Sequence, residues 1–244
     1  MNNCLALLCF CVLFGCEKNK SIDQFQKNIS GQSMDYATKF NIQEDHLKVI
    51  EPWPGAASAI KYKFEKIPER VVVTSTTHLP YLELLGLEDK LVGFVGTNNI
   101  YSEKINAKLK SGQIIEVGMN GKINLELLLA TQPDVVIAFD LGGESSILDK
   151  IIEAGIPIVY NSDFLEETAL GRAEWIKFFG YIFGELNLAD SIFNGVIERY
   201  HQLKNLTQNV IERAECIFRS GIWRYLVLTR WQKLVRTIHQ GCRR

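Results

Sequence analysis

Residues 70–86 read RVVVTSTTHLPYLELLG, a β-branched apolar run followed by a polar loop and a helical pattern. Similar apolar runs recur four times, as LVGFVG (91–96), QIIEV (113–117), DVVIAFD (134–140) and IPIVYNS (156–162). Apolar side chains on successive residues are typical of strands that are covered on both faces. Helix-like stretches separate the runs at the spacing of parallel βαβ units. The pattern therefore predicts an α/β fold with a mostly parallel sheet.

Polar loops follow the predicted strands. They are STTHLP (75–80), GTNNIY (96–101), GMNGKIN (118–124) and DLGGES (140–145). Parallel sheets bind ligands outside the carboxyl ends of their strands, so these loops mark the expected binding edge. They are rich in Gly, Asn, Ser and Thr and nearly free of charge, which favours a neutral or bulky ligand.

The same loops carry no recognisable catalytic or cofactor motif. No G-x-G-x-x-G follows the first strand, and no phosphate loop with Gly-Lys-Ser/Thr is present in the sequence. A zinc site needs three or four ligands, but the four histidines are scattered and only His78 lies on a strand-end loop. We interpret His78 as a hydrogen-bonding residue of the loop or helix start or as a cleft-lining residue, with metal ligation as a further alternative. We predict no catalytic residue, no metal site and no cofactor.

The N-terminus has the features of an export signal. An apolar run at residues 4–15 is too short to span a bilayer and is typical of the central part of a secretory signal. A small residue stands before Cys16, as in the bacterial lipobox, where the cysteine is acylated. We predict a lipoprotein signal at residues 1–16 with lipidation at Cys16. Plain secretion and an uncleaved anchor are the alternatives.

Two further segments precede the parallel sheet. Residues 17–33 are polar and indicate a linker between membrane and domain. Within residues 34–66, HLKVI and AIKYKFEKI alternate apolar and polar residues around EPWPGAAS, which predicts a small β-hairpin. We expect Trp53, in the connecting turn, to pack against the domain.

Residues 164–216 predict one long helix, or two in tandem. Acidic residues precede Thr168, which is a helix N-cap signal. Apolar side chains then recur at helical spacing, at Trp175, Phe178, Phe179, Ile182 and Phe183. We interpret this stripe as core packing.

Four stretches together resemble the periplasmic substrate-binding proteins of ABC importers for ferric siderophores, haem and vitamin B12. They are VVVTSTTHLPYLELLG, VGMNGKINLELLLATQPDVVIA, AGIPIVYNSDFLEETALGRAEWIKFFG and ADSIFNGVIERY. The resemblance implies two Rossmann-like lobes that are joined by one long helix and hold the ligand between them. Residues 67–163 would be the N-terminal lobe and residues 164–216 the inter-lobe helix. It also implies a location in the periplasm or cell envelope and ABC permease subunits as partners.

The resemblance also implies individual roles. It places seven residues at or near the cleft: Thr77, His78, Tyr101, Asn120, Gly121, Asp140 and Arg172. Glu126 falls where the family has an exposed acidic residue that docks on permease arginines. The alternative is a first-turn carboxylate that faces the helix macrodipole, and both can hold together. The implied ligand is a ferric siderophore, haem or a corrinoid.

Residues 217–244 differ sharply in composition from the rest of the chain. They contain six Arg, one Lys and no acid, whereas residues 1–216 contain four Arg and carry a net charge of −8. The family begins its second lobe here with a G-x-T-W-Y-x-P-G-G loop. With codons chosen among those permitted for each residue, a +1 frame from residue 217 can read FSGVVFGDTWYLPGGKSLSEQFIKDAG. We therefore predict a frameshift and an out-of-frame tail, with the second lobe largely missing and ligand binding impaired.

Alternative functions follow from the same features. The basic tail is compatible with an amphipathic helix or a nucleic-acid-binding arm, but the acidic body disfavours binding of polyanions, so we predict no nucleic-acid partner. An α/β enzyme of unknown chemistry would need a nucleophile or a metal cluster on the loops.

Overall fold

The structure is a computed structural model that describes residues 34–43, 45–97, 100–119, 122–142 and 146–208. The predicted signal with Cys16, the linker at 17–33, the tail at 217–244 and both Asn120 and Gly121 lie outside the described residues. The chain divides into two compact units, the first ending at Tyr200 and the second beginning at His201.

A small antiparallel sheet precedes the main one. Its strands are β1 (Phe40–Gln43), β2 (His46–Val49) and β3 (Ile60–Tyr62), in the order β1-β2-β3. The predicted hairpin corresponds to β2 and β3, and the structure adds β1, which pairs antiparallel with β2. Trp53 lies edge-on to Tyr160 at 5.3 Å between ring centroids, so it packs on the main sheet.

The main sheet has six strands in the order β7-β6-β5-β4-β8-β9. They are β4 (Val71–Val73), β5 (Leu91–Val95), β6 (Ile115–Met119), β7 (Lys122–Ile123), β8 (Val135–Ala138) and β9 (Ile158–Tyr160). Every neighbouring pair is parallel except β6 and β7. The predicted α/β fold with a mostly parallel sheet is confirmed.

Four helices connect the strands of this sheet, and three more follow it. The connecting helices are α1 (Leu79–Leu84), α2 (Glu103–Lys110), α3 (Leu125–Ala130) and α4 (Ser146–Glu153). The later ones are α5 (Ala169–Glu174), α6 (Ile176–Phe183) and α7 (Leu186–Gln208). Among the described residues, no helix is both long enough and apolar enough to cross a bilayer.

Both faces of the sheet are covered. Val71 and Val73 of β4 belong to one apolar cluster, while Val72 points to the other. The first cluster also contains the aromatic stripe, which begins at Trp175 between α5 and α6 and continues along α6; Trp175 and Phe178 are fully buried. The interpretation of this stripe as core packing is confirmed.

The helical segment has three helices where one or two were expected. Thr168 caps α5 as predicted, because its hydroxyl accepts the N–H of Gly171 at 2.9 Å. Gly184 has φ 78° and ends α6 in the left-handed region, which favours glycine. The chain then turns into α7, whose 23 residues correspond to a length of roughly 34 Å.

Two buried glutamates bind the backbone that precedes β1. Glu174 accepts the N–H groups of Asp35, Tyr36 and Ala37 at 3.1, 2.8 and 2.7 Å. Glu166 accepts the N–H groups of the next two residues, 38 and 39, at 2.9 Å each. Five consecutive N–H groups therefore point at two carboxylates, an arrangement that we call the carboxylate clamp.

Further contacts hold the clamp in place. The indole N–H of Trp175 donates to Glu166 at 3.1 Å, and Lys177 pairs with Glu174 at 3.0 Å. Gly171 leaves room for the N-terminal segment, since a Cβ there would lie 3.0 Å from the carbonyl oxygen of Tyr36. The clamp fixes residues 35–39 to the start of the helical segment.

Candidate functional site

The order of the strands in the main sheet reverses direction at β4. From β4 the chain builds outward through β5 and β6, and it then crosses to add β8 and β9 on the other side. Such a reversal leaves a crevice at the carboxyl ends of the two strands that flank it, here β4 and β8. Thr74 joins the two strand ends, because its N–H donates to Ile137 at 3.2 Å and its hydroxyl accepts from Phe139 at 3.2 Å.

Two neighbouring depressions lie at this edge of the sheet. One has a volume of about 240 Å³ and is lined by Thr74, Val95, Ile123, Phe139, Asp140, Leu141, Ile147 and Leu148. The other, of about 480 Å³, is lined by Glu116, Gly118, Met119, Lys122, Ile123, Asn124 and Leu127. Both include Ile123, so they adjoin, and each has a mainly apolar lining.

Large apolar side chains are exposed at the ends of the strands and on the loops of this edge; Met119, Phe139 and Leu141 line the depressions, and Tyr101 lies on the loop after β5. Tyr101 is 94% exposed, Leu141 67%, Met119 53% and Phe139 38%. Phe139 also packs edge-on against Phe164, with 6.2 Å between ring centroids. Clusters of exposed apolar side chains on otherwise polar loops mark binding surfaces. We call Tyr101, Met119, Phe139 and Leu141 the apolar rim.

A polar network lies beside the rim, centred on Asp163. This carboxyl group is 5% exposed, and burial raises its pKa against the opposing effects of the Thr77 hydrogen bond and the Arg172 charge. The Tyr81 hydroxyl donates to the Arg172 carbonyl at 2.8 Å and also lies beside Asp163, and burial raises the tyrosine's pKa. Two predicted cleft residues, Thr77 and Arg172, are thus brought together by Asp163 and Tyr81.

Arg172 is held from two sides. Its Nε donates to the carbonyl oxygen of Glu166 at 3.1 Å, while its own carbonyl accepts from Tyr81. Since the Glu166 side chain belongs to the carboxylate clamp, the N-terminal segment and Arg172 share one support. The guanidinium-bearing residue itself remains exposed.

His78 lies in the core. Its side chain is fully buried, its ring centroid is 5.9 Å from that of Phe179, and neither ring nitrogen has a hydrogen-bond partner among the described residues. Burial lowers the pKa of His78 to about 3, so the ring is neutral at physiological pH. The structure therefore does not bring His78 to the surface of the strand-end loops.

The remaining predicted residues lie at the carboxyl edge or on α3. Tyr101 belongs to the apolar rim, and Asp140 is partly exposed in the smaller depression, where it accepts the N–H of Gly142 at 3.0 Å. Glu126 is exposed in the first turn of α3, which Asn124 caps by accepting the N–H of Leu127 at 3.1 Å. Both interpretations of Glu126 are compatible with this position.

Sequence reasoning missed three members of the apolar rim and the central acid of the network. Met119, Phe139 and Leu141 are apolar residues within or beside polar loops, and that contrast was the available signal. Asp163 directly follows the last predicted strand run. No cluster of three potential metal-ligating side chains occurs among the residues that the structure describes.

Comparison with known proteins agrees with this architecture. The family of periplasmic binding proteins matches residues 71–233, more than half of the chain. The chain belongs to this family. The match extends into the segment that we predict to be out of frame, beyond the last described residue.

Relatives of this periplasmic binding protein include lipoproteins and vitamin-binding proteins. An uncharacterized lipoprotein of Methanocaldococcus jannaschii is 26% identical over 167 residues, covering 66% of this chain and 40% of the relative. A vitamin B12-binding protein of Yersinia pseudotuberculosis is 35% identical over 116 residues, 45% of this chain and 38% of the relative. The chain thus spans about two fifths of the length of these relatives.

Solved structures share the fold at low sequence identity. A periplasmic binding protein from Veillonella parvula matches with a TM-score of 0.54 and 16% identity, over 68% of this chain and 55% of that one. The siderophore-binding protein BauB, bound to acinetobactin and ferric iron, matches with 0.52 and 19%, over 68% and 56%. These matched proteins are binding proteins rather than enzymes.

Proposed function

We propose that this protein is the substrate-binding component of an ABC importer for a ferric siderophore, haem or a corrinoid. The observation that carries the proposal is the concave, largely apolar surface at the strand-order reversal of a periplasmic binding protein. The names of its relatives, which include vitamin B12-binding proteins and a siderophore-binding protein, support the ligand range.

To test this, the purified chain is titrated with haemin, cyanocobalamin and ferric siderophores. Binding is monitored by ligand absorbance and by tryptophan fluorescence. We expect weak binding, on the order of 100 µM, because a single lobe leaves the other face of the ligand in water. Saturable binding of at least one ligand supports the proposal. Binding of none up to the solubility limit contradicts it.

We further propose that Cys16 is acylated and holds the protein at the membrane of the periplasm or cell envelope. The small residue before Cys16 and the lipoprotein name of an archaeal relative support this. Labelling with a palmitate analogue in a bacterial host should mark the chain and leave Cys16→Ala unmarked. Equal labelling of both would show that Cys16 is not the acylated residue.

Glu126 is the proposed docking residue for the permease. Its exposed carboxylate on α3 can pair with an arginine of a permease subunit. In proteoliposomes that carry the cognate transporter, Glu126→Ala should reduce stimulation of ATP hydrolysis, while Glu153→Ala on α4 should not. Equal effects of both substitutions would argue against a specific docking role.

The composition of residues 217–244 supports a change of reading frame just after residue 216. The gene sequence tests this directly. A second-lobe peptide containing the G-x-T-W-Y-x-P-G-G loop is expected in the +1 frame. A stop codon or an unrelated peptide in that frame would show that the basic segment is native.

A further inference from the structure

Cationic side chains are few at the carboxyl edge of the sheet. Among the described residues of this edge, the exposed cations are Lys122 on β7 and Arg172 on α5, whereas Glu116 and Asp140 line the depressions and Glu167 is exposed. Asp163 is buried beside Arg172, and no excess of cationic side chains accompanies it within this described edge. A ligand with several negative charges would be recognised by a cationic surface, because charged partners bind through complementary potentials.

The apolar rim is broad as well as exposed. Met119 ends β6, whereas Phe139 and Leu141 follow β8, and two strands lie between β6 and β8 in the sheet. Three strand spacings of about 4.8 Å each separate the two ends of the rim by roughly 14 Å. Ile123 lines both depressions, so they adjoin within this width.

We propose that this wall takes a tetrapyrrole-type macrocycle of the haem or corrinoid class and not a polyanionic catecholate or carboxylate siderophore. The inference rests on the proposed function, since it names the ligand class of the same surface. A disc of macrocycle dimensions covers the rim with one apolar face. Its few peripheral carboxylates or amides meet the polar groups around it, including Lys122 beside Met119 and Thr74 beside Phe139.

The inference is tested by comparing the affinities of several ligands for the full chain. The probes are haemin, cyanocobalamin, ferrioxamine B, a ferric tris-catecholate and ferric citrate, each titrated in the same buffer at two salt concentrations. We expect haemin or cyanocobalamin to bind at least about tenfold more tightly than any ferric siderophore. We also expect the affinity for the macrocycle to change little with salt concentration, because apolar contacts supply most of the binding free energy.

A matched pair of leucines locates the contact. Leu141 on the apolar rim is 67% exposed, and Leu84 at the end of α1, before the strand β5 begins, is 55% exposed. Leu141→Ser should weaken macrocycle binding about three- to tenfold by removing apolar contact area. Leu84→Ser should leave the affinity unchanged. Circular dichroism of both variants confirms that neither is unfolded.

Each outcome decides between the inference and the proposed function. Preferred binding of a ferric siderophore overturns the ligand class and leaves the importer function standing. Equal effects of Leu141→Ser and Leu84→Ser also overturn the inference, because the contact then lies elsewhere. Failure of every probe to bind overturns the proposed function together with the inference.

Discussion

Replacing Glu174 with glutamine tests the carboxylate clamp with an almost isosteric change. Oε2 of Glu174 accepts the N–H groups of Tyr36 and Ala37, while Oε1 accepts the N–H of Asp35 and pairs with Lys177. All four partners are donors. The amide nitrogen of a glutamine is a donor as well, so in either orientation it faces two donors and loses two contacts.

The expected loss of stability follows from this geometry. Hydrogen bonds to a charged group contribute about 1.5–3 kcal/mol each, and removing one partner of a buried ion pair costs about 3–5 kcal/mol. Lys177 keeps Asp190 at 3.2 Å, which moves the expected cost toward the lower end. We expect Glu174→Gln to lower the free energy of unfolding by about 3–4 kcal/mol, out of the 5–15 kcal/mol that is typical of a domain.

Urea unfolding followed by circular dichroism measures this loss. The control is Glu167→Gln, an exposed glutamate near the clamp, which should stay within about 0.5 kcal/mol of the parent. A Glu174→Gln variant as stable as the control would refute the assigned role of the clamp.

Four more substitutions probe the core, a helix surface and the polar network. The lowered pKa of His78 should make the parent about 2 kcal/mol less stable at pH 5 than at pH 7, because the histidine takes up a proton near pH 6.5 only in the unfolded chain. His78→Leu should abolish this loss of stability, and urea unfolding at the two pH values measures it. Gly180→Ala should lower the free energy of unfolding by about 1–3 kcal/mol in the same assay, because the new Cβ would lie 2.6 Å from the Cβ of Ala189. Gly195→Ala should instead raise it by about 0.5–1 kcal/mol, because Gly195 lies in α7 with open space around it. Because the pKa of Asp163 is raised in the folded protein, the parent should lose stability as the pH rises above about 4 and through that pKa. Asp163→Asn should remove this loss, and a series of urea unfolding curves at increasing pH would detect the difference.

The parallel sheet could be predicted because its signal is local. Val71, Val72 and Val73 are all buried, two on one face and one on the other, so the β-branched run reports directly that both faces are covered. The loops after such strands meet at one edge by topology alone. The edge of the sheet at which these loops lie could therefore be predicted from the sequence, together with the cap at Thr168.

The carboxylate clamp could not be predicted because it joins distant parts of the chain. Glu174 binds backbone groups 137 to 139 residues earlier, and Glu166 binds groups 127 and 128 residues earlier. In the sequence both acids look like solvent-exposed residues near a helix start, and the N–H groups they bind belong to no motif. The strand β1 was missed for a related reason, since four residues carry too little periodicity to stand out.

The direction in which loop side chains point was the least predictable feature of the site. His78 and Thr77 are adjacent after β4, yet the short 3₁₀ turn at Thr76–His78 exposes the threonine and buries the histidine against Phe179. Loop polarity suggested a polar rim, whereas Met119 and Leu141 present apolar side chains there. Such choices depend on local turns and on the packing of later helices, which a strand pattern does not encode.

The surface of α7 bears on the proposed change of reading frame. Exposed apolar side chains recur along this helix at Leu188, Val196, Tyr200, Leu203 and Leu206. At about 100° per residue they fall within about 120° of the helix circumference, so they form one face rather than a scatter. An apolar face of this kind is expected where a helix supports packed structure. In the two-lobed binding proteins that the sequence resembles, that structure would be the second lobe. The proposed change of reading frame would remove an opposing lobe, and it would then leave both this face and the apolar rim uncovered.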